Sequence, residues 1–217
     1  MPHLVASSAT GLAVALIVLA YLLGSLSGSL LLGRLRGVDI RTLGSGNAGG
    51  TNALRTQGWR FALGTVLIDI GKGALATWLA WQWMPDAARG WGEYAATLAS
   101  VAGHVWPLFH GFRGGKGAAT LVGALAVAWP STLPVILGVW LLCLLSTGYV
   151  GLSTVLAAIS LPLFALASGA GPVRIAFALV VAALITYTHR GNLARLRAGT
   201  ESRFERVRLL RRRSADR

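Results

Sequence analysis

Long apolar runs dominate the chain, and they predict membrane-spanning helices. No Lys, Arg, Asp or Glu precedes Arg34, and none occurs in the 57 residues from Gly117 to Val173. About 20 consecutive apolar residues suffice to cross a bilayer as a helix. Backbone groups inside a bilayer must be satisfied internally, and the alternating pattern of a barrel strand is missing, so we expect helices.

Breaks rich in Pro and Gly divide these runs into seven predicted spans. Pro85, Pro130, Gly148 and Pro172 mark four of the breaks, where a helix is expected to end or begin. The fourth span is too short to cross alone, so it is tilted or a half-helix shielded by protein. Five crossings with the shorter segments re-entrant are the main alternative. The spans are predicted at about 9–33, 61–84, 94–112, 117–130, 133–147, 150–168 and 172–188.

Composition agrees with an all-α integral membrane protein. Hydrophobic residues make up 54% of the 217 residues and charged residues 12%, whereas soluble domains carry about 25% charged residues. The first apolar stretch exceeds 20 residues and lacks a preceding positive charge, so it is expected to be a retained span rather than a cleaved signal peptide. We expect one polytopic domain over residues 1–217, ending in a basic tail at 203–217.

The net charge is +13, and the positions of the basic residues follow the predicted membrane topology. Of 20 basic residues, 17 lie in the segments 34–60, 113–117 and 189–217, which seven crossings place on one side. Basic loops face the cytoplasm, so the N-terminus is expected outside and the C-terminus in the cytoplasm. No nucleic-acid partner is therefore expected. The tail at 203–217 is either a short amphipathic helix on the inner leaflet or a frayed basic end.

A first polar cluster occupies residues 44–55. Its G-x-G-x-x-G pattern at 44–49 follows an apolar helix, whereas the dinucleotide-binding fingerprint requires a preceding strand. A glycine-rich loop can still direct backbone amides at an anion. Ser45, Gly46, Asn47 and Arg55 are the candidate phosphate ligands.

A second cluster, at residues 103–117, has the two features by which a phosphate-binding loop attracts an anion, namely backbone amides and a positive charge. Gly114 and Gly115 leave backbone amides accessible, and Lys116 supplies charge. The segment is not a Walker A motif, because glycine follows Lys116 where Ser or Thr is required. His104 is expected to be a packed, hydrogen-bonded helix residue, and His110 to be structural.

A third cluster lies at residues 188–201. In a continuous helix His189 and Asn192 would share one face, and Glu201 ends the segment. A juxtamembrane basic anchor is the alternative interpretation. Ser153 and Thr154 are expected to place hydroxyls on the same side of the membrane, at the start of the sixth span.

The remaining chemistry-bearing residues are sparse. Asp69 and Lys72, three residues apart in the second span, are expected to neutralise each other because a lone charge in a bilayer is costly. The lone Cys143 excludes a disulfide framework. No metal-ligand spacing and no G-x-S-x-G nucleophile motif occur, so no metal and no cofactor are expected.

The three clusters together closely resemble the motifs of the bacterial acyl-phosphate-dependent glycerol-3-phosphate acyltransferases, the PlsY family, in order and spacing over nearly the whole chain. The stretch 69–73 resembles a fourth shared segment. The resemblance implies a seven-helix bundle in the bacterial inner membrane with its site facing the cytoplasm. It implies transfer of a fatty acyl group from acyl phosphate to the sn-1 hydroxyl of glycerol 3-phosphate, giving lysophosphatidic acid and phosphate.

Site roles follow from the resemblance position by position. The implied partners are glycerol 3-phosphate, long-chain acyl phosphate and membrane lipids, with no obligate protein partner. Gly151 departs from the family, where Ser is frequent, and this leaves the assignment of Ser153 or Thr154 open. The implied catalytic residues are Ser45, Lys116, His189 and Asn192. The implied phosphate-binding residues are Ser45, Gly46, Asn47, Arg55, Gly114, Gly115, Lys116, Ser153, Thr154 and Glu201.

An acyl phosphate is already activated, so this reaction requires no covalent enzyme nucleophile. The hydroxyl proton needs a base, which is either His189 or the substrate's own phosphate; His189 would otherwise orient the substrate as a hydrogen-bond donor. A transporter of a small organic phosphate is the rival function, but it should show an internal repeat or polar mid-membrane segments. A lipid-binding scaffold would leave the 45–55 loop unexplained.

Overall fold

The computed structural model describes residues 2–204, with side chains from Ser8 onward, and over this part of the chain the regular elements are helical. The contacts divide the chain after Pro130 into two compact units. The helices of the first unit are α1 (Pro2–Gly24), α2 (Gly28–Leu35), α3 (Gly50–Gln57), α4 (Trp59–Trp83), α5 (Trp91–Val105) and α6 (Ala118–Ala128). Those of the second are α7 (Leu133–Thr147), α8 (Val150–Ala167), α9 (Pro172–Thr188) and α10 (Arg190–Arg197).

Helix α4 is the centre of the first unit, where it packs against the other five helices. Two glycines bring α4 and α6 into backbone contact. A Cβ added at Gly123 would overlap the carbonyl of Ile70, and one at Gly73 would overlap the carbonyl of Thr120. Small residues allow close helix approach in membranes, where apolar burial alone drives association weakly.

The predicted first span at 9–33 is not one straight helix. Helix α1 ends at Gly24, α2 begins at Gly28, and the two are bent by 47°. The ammonium of Lys72 donates to the carbonyl of Gly24 at 2.7 Å and to that of Leu26 at 2.8 Å. These bonds replace the helical hydrogen bonds that the break removes, so the bend is stable only with this lysine beside it.

The predicted span at 94–112 is also too long. Helix α5 ends at Val105, and residues 108–110 form a separate 3₁₀ turn. Pro107 lacks an N–H to donate to the preceding turn, which ends the helix. The other spans agree with α4, α6, α7, α8 and α9 within a few residues.

In the second unit, α8 packs against both α7 and α9, and α10 contacts α8 and α9. Helix α9 ends at Thr188 and α10 begins at Arg190, with a bend of 56° between them. This bend places His189 at the junction of two helices.

Within the described residues, three helical segments are long and apolar enough to cross a membrane: Trp59–Trp83, Pro130–Thr147 and Val150–Ala167. Counting each of the two bent pairs as one span raises the number to five. Seven crossings, the orientation of the termini and the single domain therefore stay predictions. The predicted tail at 203–217 lies outside the described residues from position 205 onward.

Candidate active site

The buried side chain of Asn52 shapes the first glycine-rich loop. Its Oδ1 accepts from the Ser45 backbone N–H at 2.9 Å. Its Nδ2 donates to the carbonyls of Ile40 at 3.1 Å and Leu43 at 3.0 Å. Gly44 has a φ of +57° and no room for a Cβ beside Asn52 Oδ1. Asn52 therefore fixes the conformation of the loop.

Several glycine amides predicted to bind phosphate are used inside the protein. The N–H of Gly114 donates to Val105 O at 3.2 Å, and that of Gly115 to His104 O at 3.1 Å. The Gly46 N–H donates to Leu43 O at 3.0 Å. In the second loop these donors satisfy carbonyls at the end of α5, which have no intrahelical partner. This differs from the prediction, which treated the amides as free to meet an anion.

The helix N-termini are the better anion donors. Helix α3 begins at Gly50 and α6 at Ala118, and the loops before them meet where Gly115 lies against the carbonyl of Ala48. The first N–H groups of a helix have no intrahelical acceptor and favour negative charge. Lys116 precedes α6, so a cationic residue adjoins that N-terminus, whereas Arg55 lies in the last turn of α3.

An ion pair that the sequence analysis missed connects the two loops. Arg41 Nη2 lies 2.8 Å from Asp39 Oδ2, and Arg41 Nη1 donates to the carbonyls of His110 at 2.8 Å and Arg113 at 3.2 Å. The Arg41 guanidinium lowers the pKa of the Asp39 carboxyl to about 2. The depressed pKa means that the pair persists at neutral pH and is lost only as the pH falls towards 2. Asp39 is the one acidic residue in the basic segment 34–60, and this isolation could have indicated the ion pair from the sequence.

A cavity of about 480 Å³ opens beside this ion pair. It is lined by Arg34, Arg41, Phe109, His110 and neighbouring residues, and by none of the residues predicted for the site. Burial, followed by the positive charges of Arg34 and Arg41, lowers the pKa of the His110 imidazole. His110 is therefore neutral at physiological pH and adds no charge to this cavity.

A buried charge network lies beneath the two loops. Lys72 Nζ lies 3.2 Å from Asp69 Oδ1 and 2.9 Å from His104 Nδ1. Asp69 Oδ1 also accepts from the Gly28 N–H at 3.1 Å. The predicted Asp69–Lys72 pair and the packed, hydrogen-bonded His104 are both confirmed.

In the second unit, the buried side chain of His189 is fixed by a backbone carbonyl. Its Nδ1 lies 2.8 Å from Ile185 O. Because a carbonyl can only accept, Nδ1 carries the proton, and in the neutral form of the ring Nε2 is then the acceptor nitrogen. His189 caps α10 at the bend and Asn192 lies within α10, so the shared face of a continuous helix does not apply to this pair.

Glu201 holds two side chains of α10. Its Oε1 accepts from Asn192 Nδ2 at 2.6 Å, and its Oε2 accepts from Arg195 Nε at 2.7 Å. An ionised carboxylate is an acceptor only, so this geometry orients Asn192 and differs from the predicted phosphate contact. A Cβ at Gly151 would overlap the Asn192 side chain. Glycine at position 151 therefore leaves the space that Asn192 fills.

The two hydroxyls at the start of α8 are bound within their own helix. Ser153 Oγ donates to Tyr149 O at 2.8 Å, and Thr154 Oγ1 donates to Val150 O at 2.9 Å. Thr154 Oγ1 also accepts from Trp140 Nε1 at 3.2 Å. Each hydroxyl must give up its backbone bond before it can donate to a phosphate, so the phosphate contact of Ser153 and Thr154 stays a prediction.

Apolar helices of membrane-crossing length, together with two polar loops that precede the N-termini of α3 and α6, define a helical membrane protein. The model of the family "Glycerol-3-phosphate acyltransferase" matches residues 14–199. The chain belongs to this family.

Relatives and solved structures agree with this assignment. The glycerol-3-phosphate acyltransferase of Synechococcus sp. (strain CC9902) is 43% identical over 191 residues, which cover 87% of this chain and 94% of the relative. That of Chlorobaculum parvum (strain DSM 263 / NCIMB 8327) is 38% identical over 222 residues, covering 88% and 96%. Two crystal structures of PlsY (YgiH), an integral membrane glycerol 3-phosphate acyltransferase, are each 38% identical and cover 88% of this chain and 95% of theirs. The TM-score is 0.83 for the glycerol 3-phosphate form and 0.80 for the lysophosphatidic acid form.

Proposed function

We propose that the protein transfers a fatty acyl group from acyl phosphate to the sn-1 hydroxyl of glycerol 3-phosphate. The products are 1-acyl-sn-glycerol 3-phosphate and inorganic phosphate. The observation that carries the proposal is the meeting of the loops before α3 and α6, with Lys116 directly before α6, in a member of this family. The concentration of basic residues in 34–60, 113–117 and 189–217 supports a site on the cytoplasmic face of the bacterial inner membrane.

The first unit supplies the phosphate-binding part of the reaction. Lys116, Arg55 and the N-terminal amides of α6 stabilise the negative charge of the departing phosphate. Ser45 holds the substrate phosphate from the exposed first loop. Since phosphate leaves readily, the glycerol oxygen attacks the acyl carbon directly, and the bond from that carbon to the phosphate oxygen breaks.

His189 is the proposed base. With Nδ1–H committed to Ile185 O, the Nε2 of His189 accepts the proton of the attacking hydroxyl. Asn192, held by Glu201, orients the reacting groups. The hydrogen bond to the carbonyl favours the base role for His189 over the donor role, because a neutral ring in this tautomer has no proton on Nε2.

The function is tested with purified protein in mild detergent. Phosphate release from palmitoyl phosphate is followed with and without glycerol 3-phosphate, and acyl-CoA runs in parallel as a donor. We expect release that requires glycerol 3-phosphate, and no turnover of acyl-CoA. A folded protein that releases no phosphate would exclude the acyl-phosphate donor. Uptake of radiolabelled glycerol 3-phosphate into proteoliposomes would instead support transport.

A His189→Gln variant tests the base. Glutamine keeps a hydrogen-bonding side chain but cannot take up a proton, so kcat is expected to fall by about 10²–10⁴-fold, the range typical of general-base catalysis. Steady-state phosphate release gives the rate. His110→Gln is the matched control, because His110 has no role in the proposed chemistry and should retain near-normal kcat. A His189→Gln enzyme with near-normal kcat would rule out the base role.

A further inference from the structure

The charge network of Asp69, Lys72 and His104 fixes the protonation pattern of a histidine beside the phosphate loop. The ammonium of Lys72 has three protons and no acceptor site. Its three shortest contacts are Gly24 O at 2.7 Å, Leu26 O at 2.8 Å and His104 Nδ1 at 2.9 Å. Asp69 Oδ1 is a fourth, longer contact at 3.2 Å; since the ammonium can only donate, Nδ1 of His104 presents its lone pair to the lysine.

A proton on Nδ1 is excluded by the same geometry, because it would point at a second donor 2.9 Å away. Asp69 Oδ1 lies farther from Nδ1, at 3.4 Å, and accepts from Gly28 N–H. The neutral ring of His104 therefore carries its proton on Nε2. This tautomer is opposite to that of His189, whose Nδ1 is protonated.

The Nε2 of His104 lies where the two loops meet. A Cβ added at Gly115 would overlap this nitrogen and would lie 2.8 Å from the carbonyl of Ala48. His104 is only 3% exposed, yet no group among residues 8–204 accepts a hydrogen bond from Nε2 in this structure. Nε2 is not among the fully buried side-chain atoms that lack a hydrogen-bond partner, so this edge of the ring is accessible to a ligand where the loops meet. Lys116 follows Gly115 directly.

We infer that His104 donates its Nε2–H to a phosphate oxygen of a substrate, and that Lys72 acts as a positioning residue by fixing this tautomer. This inference rests on the proposed function only for the identity of the phosphate, which belongs to acyl phosphate or to glycerol 3-phosphate. His104 is then a fixed donor and takes no part in proton transfer.

The tautomer is tested without any activity measurement. The wild-type protein is labelled with ¹⁵N-histidine in detergent, and the His104 ring is assigned by its loss from the spectrum of His104→Gln. We expect Nε2 protonated and Nδ1 unprotonated, with the Nε2 signal moving when inorganic phosphate is added. A proton on Nδ1, or an Nε2 signal that ignores both phosphate and glycerol 3-phosphate, overturns the inference. This readout decides the matter even if the protein shows no acyltransferase activity.

A matched pair of variants at position 104 separates the hydrogen-bond donor at Nε2 from the packing of the side chain. The amide nitrogen of Gln can reach the position of Nε2, whereas that of Asn reaches only the position of Nδ1. We expect His104→Asn to raise KM by about tenfold or more for one of the two substrates, the size of a hydrogen bond to a charged group. His104→Gln should stay within about threefold of wild type.

The substrate whose KM rises identifies the phosphate that His104 contacts. Thermal unfolding in detergent establishes that both variants are folded. Equal KM changes in His104→Gln and His104→Asn, or unchanged KM for both substrates in both variants, contradict the inference.

Discussion

Replacing Lys72 by methionine is expected to lower the free energy of unfolding by about 3–5 kcal/mol, the range for removing one partner of a buried ion pair. The substitution keeps the length of the side chain and removes the charge. It leaves the Asp69 carboxylate, 1% exposed, without its cation. It also leaves the carbonyls of Gly24 and Leu26 without donors at the break between α1 and α2. Unfolding in mild detergent, followed by circular dichroism, measures the loss.

The double variant Lys72→Met with Asp69→Leu is the control for the charge. It removes both partners, so no buried charge stays unpaired and part of the stability should return. The remaining loss then measures the two unpaired carbonyls and the Gly28 N–H. A loss below about 1 kcal/mol in the single variant would contradict the view that this network holds the bend.

Replacing Lys116 by alanine is expected to lower kcat/KM for phosphate release by about 10²–10³-fold. Under the proposed function the lysine stabilises charge on the departing phosphate, and removing one such group typically costs this much. The measurement is phosphate release from palmitoyl phosphate at saturating glycerol 3-phosphate. A value within about threefold of wild type would remove Lys116 from the proposed site.

Two further variants distinguish a specific contact of Lys116 from long-range electrostatic attraction of the substrates. Arg36→Ala removes an exposed cation from the same basic side of the chain, so it tests whether general positive charge attracts the substrates. It should leave kcat/KM nearly unchanged. Lys116→Arg keeps the charge but changes the shape of the donor group, and an intermediate activity is expected. Similar losses in Arg36→Ala and Lys116→Ala would indicate long-range electrostatics instead of a specific contact.

The helices that end at local signals could be predicted from sequence. Pro134, Gly148 and Pro172 bound α7, α8 and α9, and these helices agree closely with the predicted spans. The break after Gly24 could not be predicted, because its cause lies 48 residues away in Lys72. A hydrogen bond between distant segments leaves no periodic trace in the sequence.

In the candidate site, too, some features could be predicted from the sequence and others could not. The Asp69–Lys72 pair could be predicted because both residues lie in one helix, three positions apart. The amides of Gly114 and Gly115 misled the prediction, since their acceptors depend on where α5 ends. The role of Asn52 could not be predicted, because its buried position directs all three of its hydrogen bonds into the loop.

The break between α1 and α2 also has a consequence for biogenesis. Synthesis proceeds from the N-terminus, so α1 and α2 reach the membrane before Lys72 does. Until then the carbonyls of Gly24 and Leu26 would have no donor at the bend, and unsatisfied backbone groups in hydrocarbon cost several kcal/mol each. A straight helix through this segment would satisfy both carbonyls. We therefore expect the nascent chain to insert 2–35 as one straight helix, which bends only after α4 has entered the bilayer beside it.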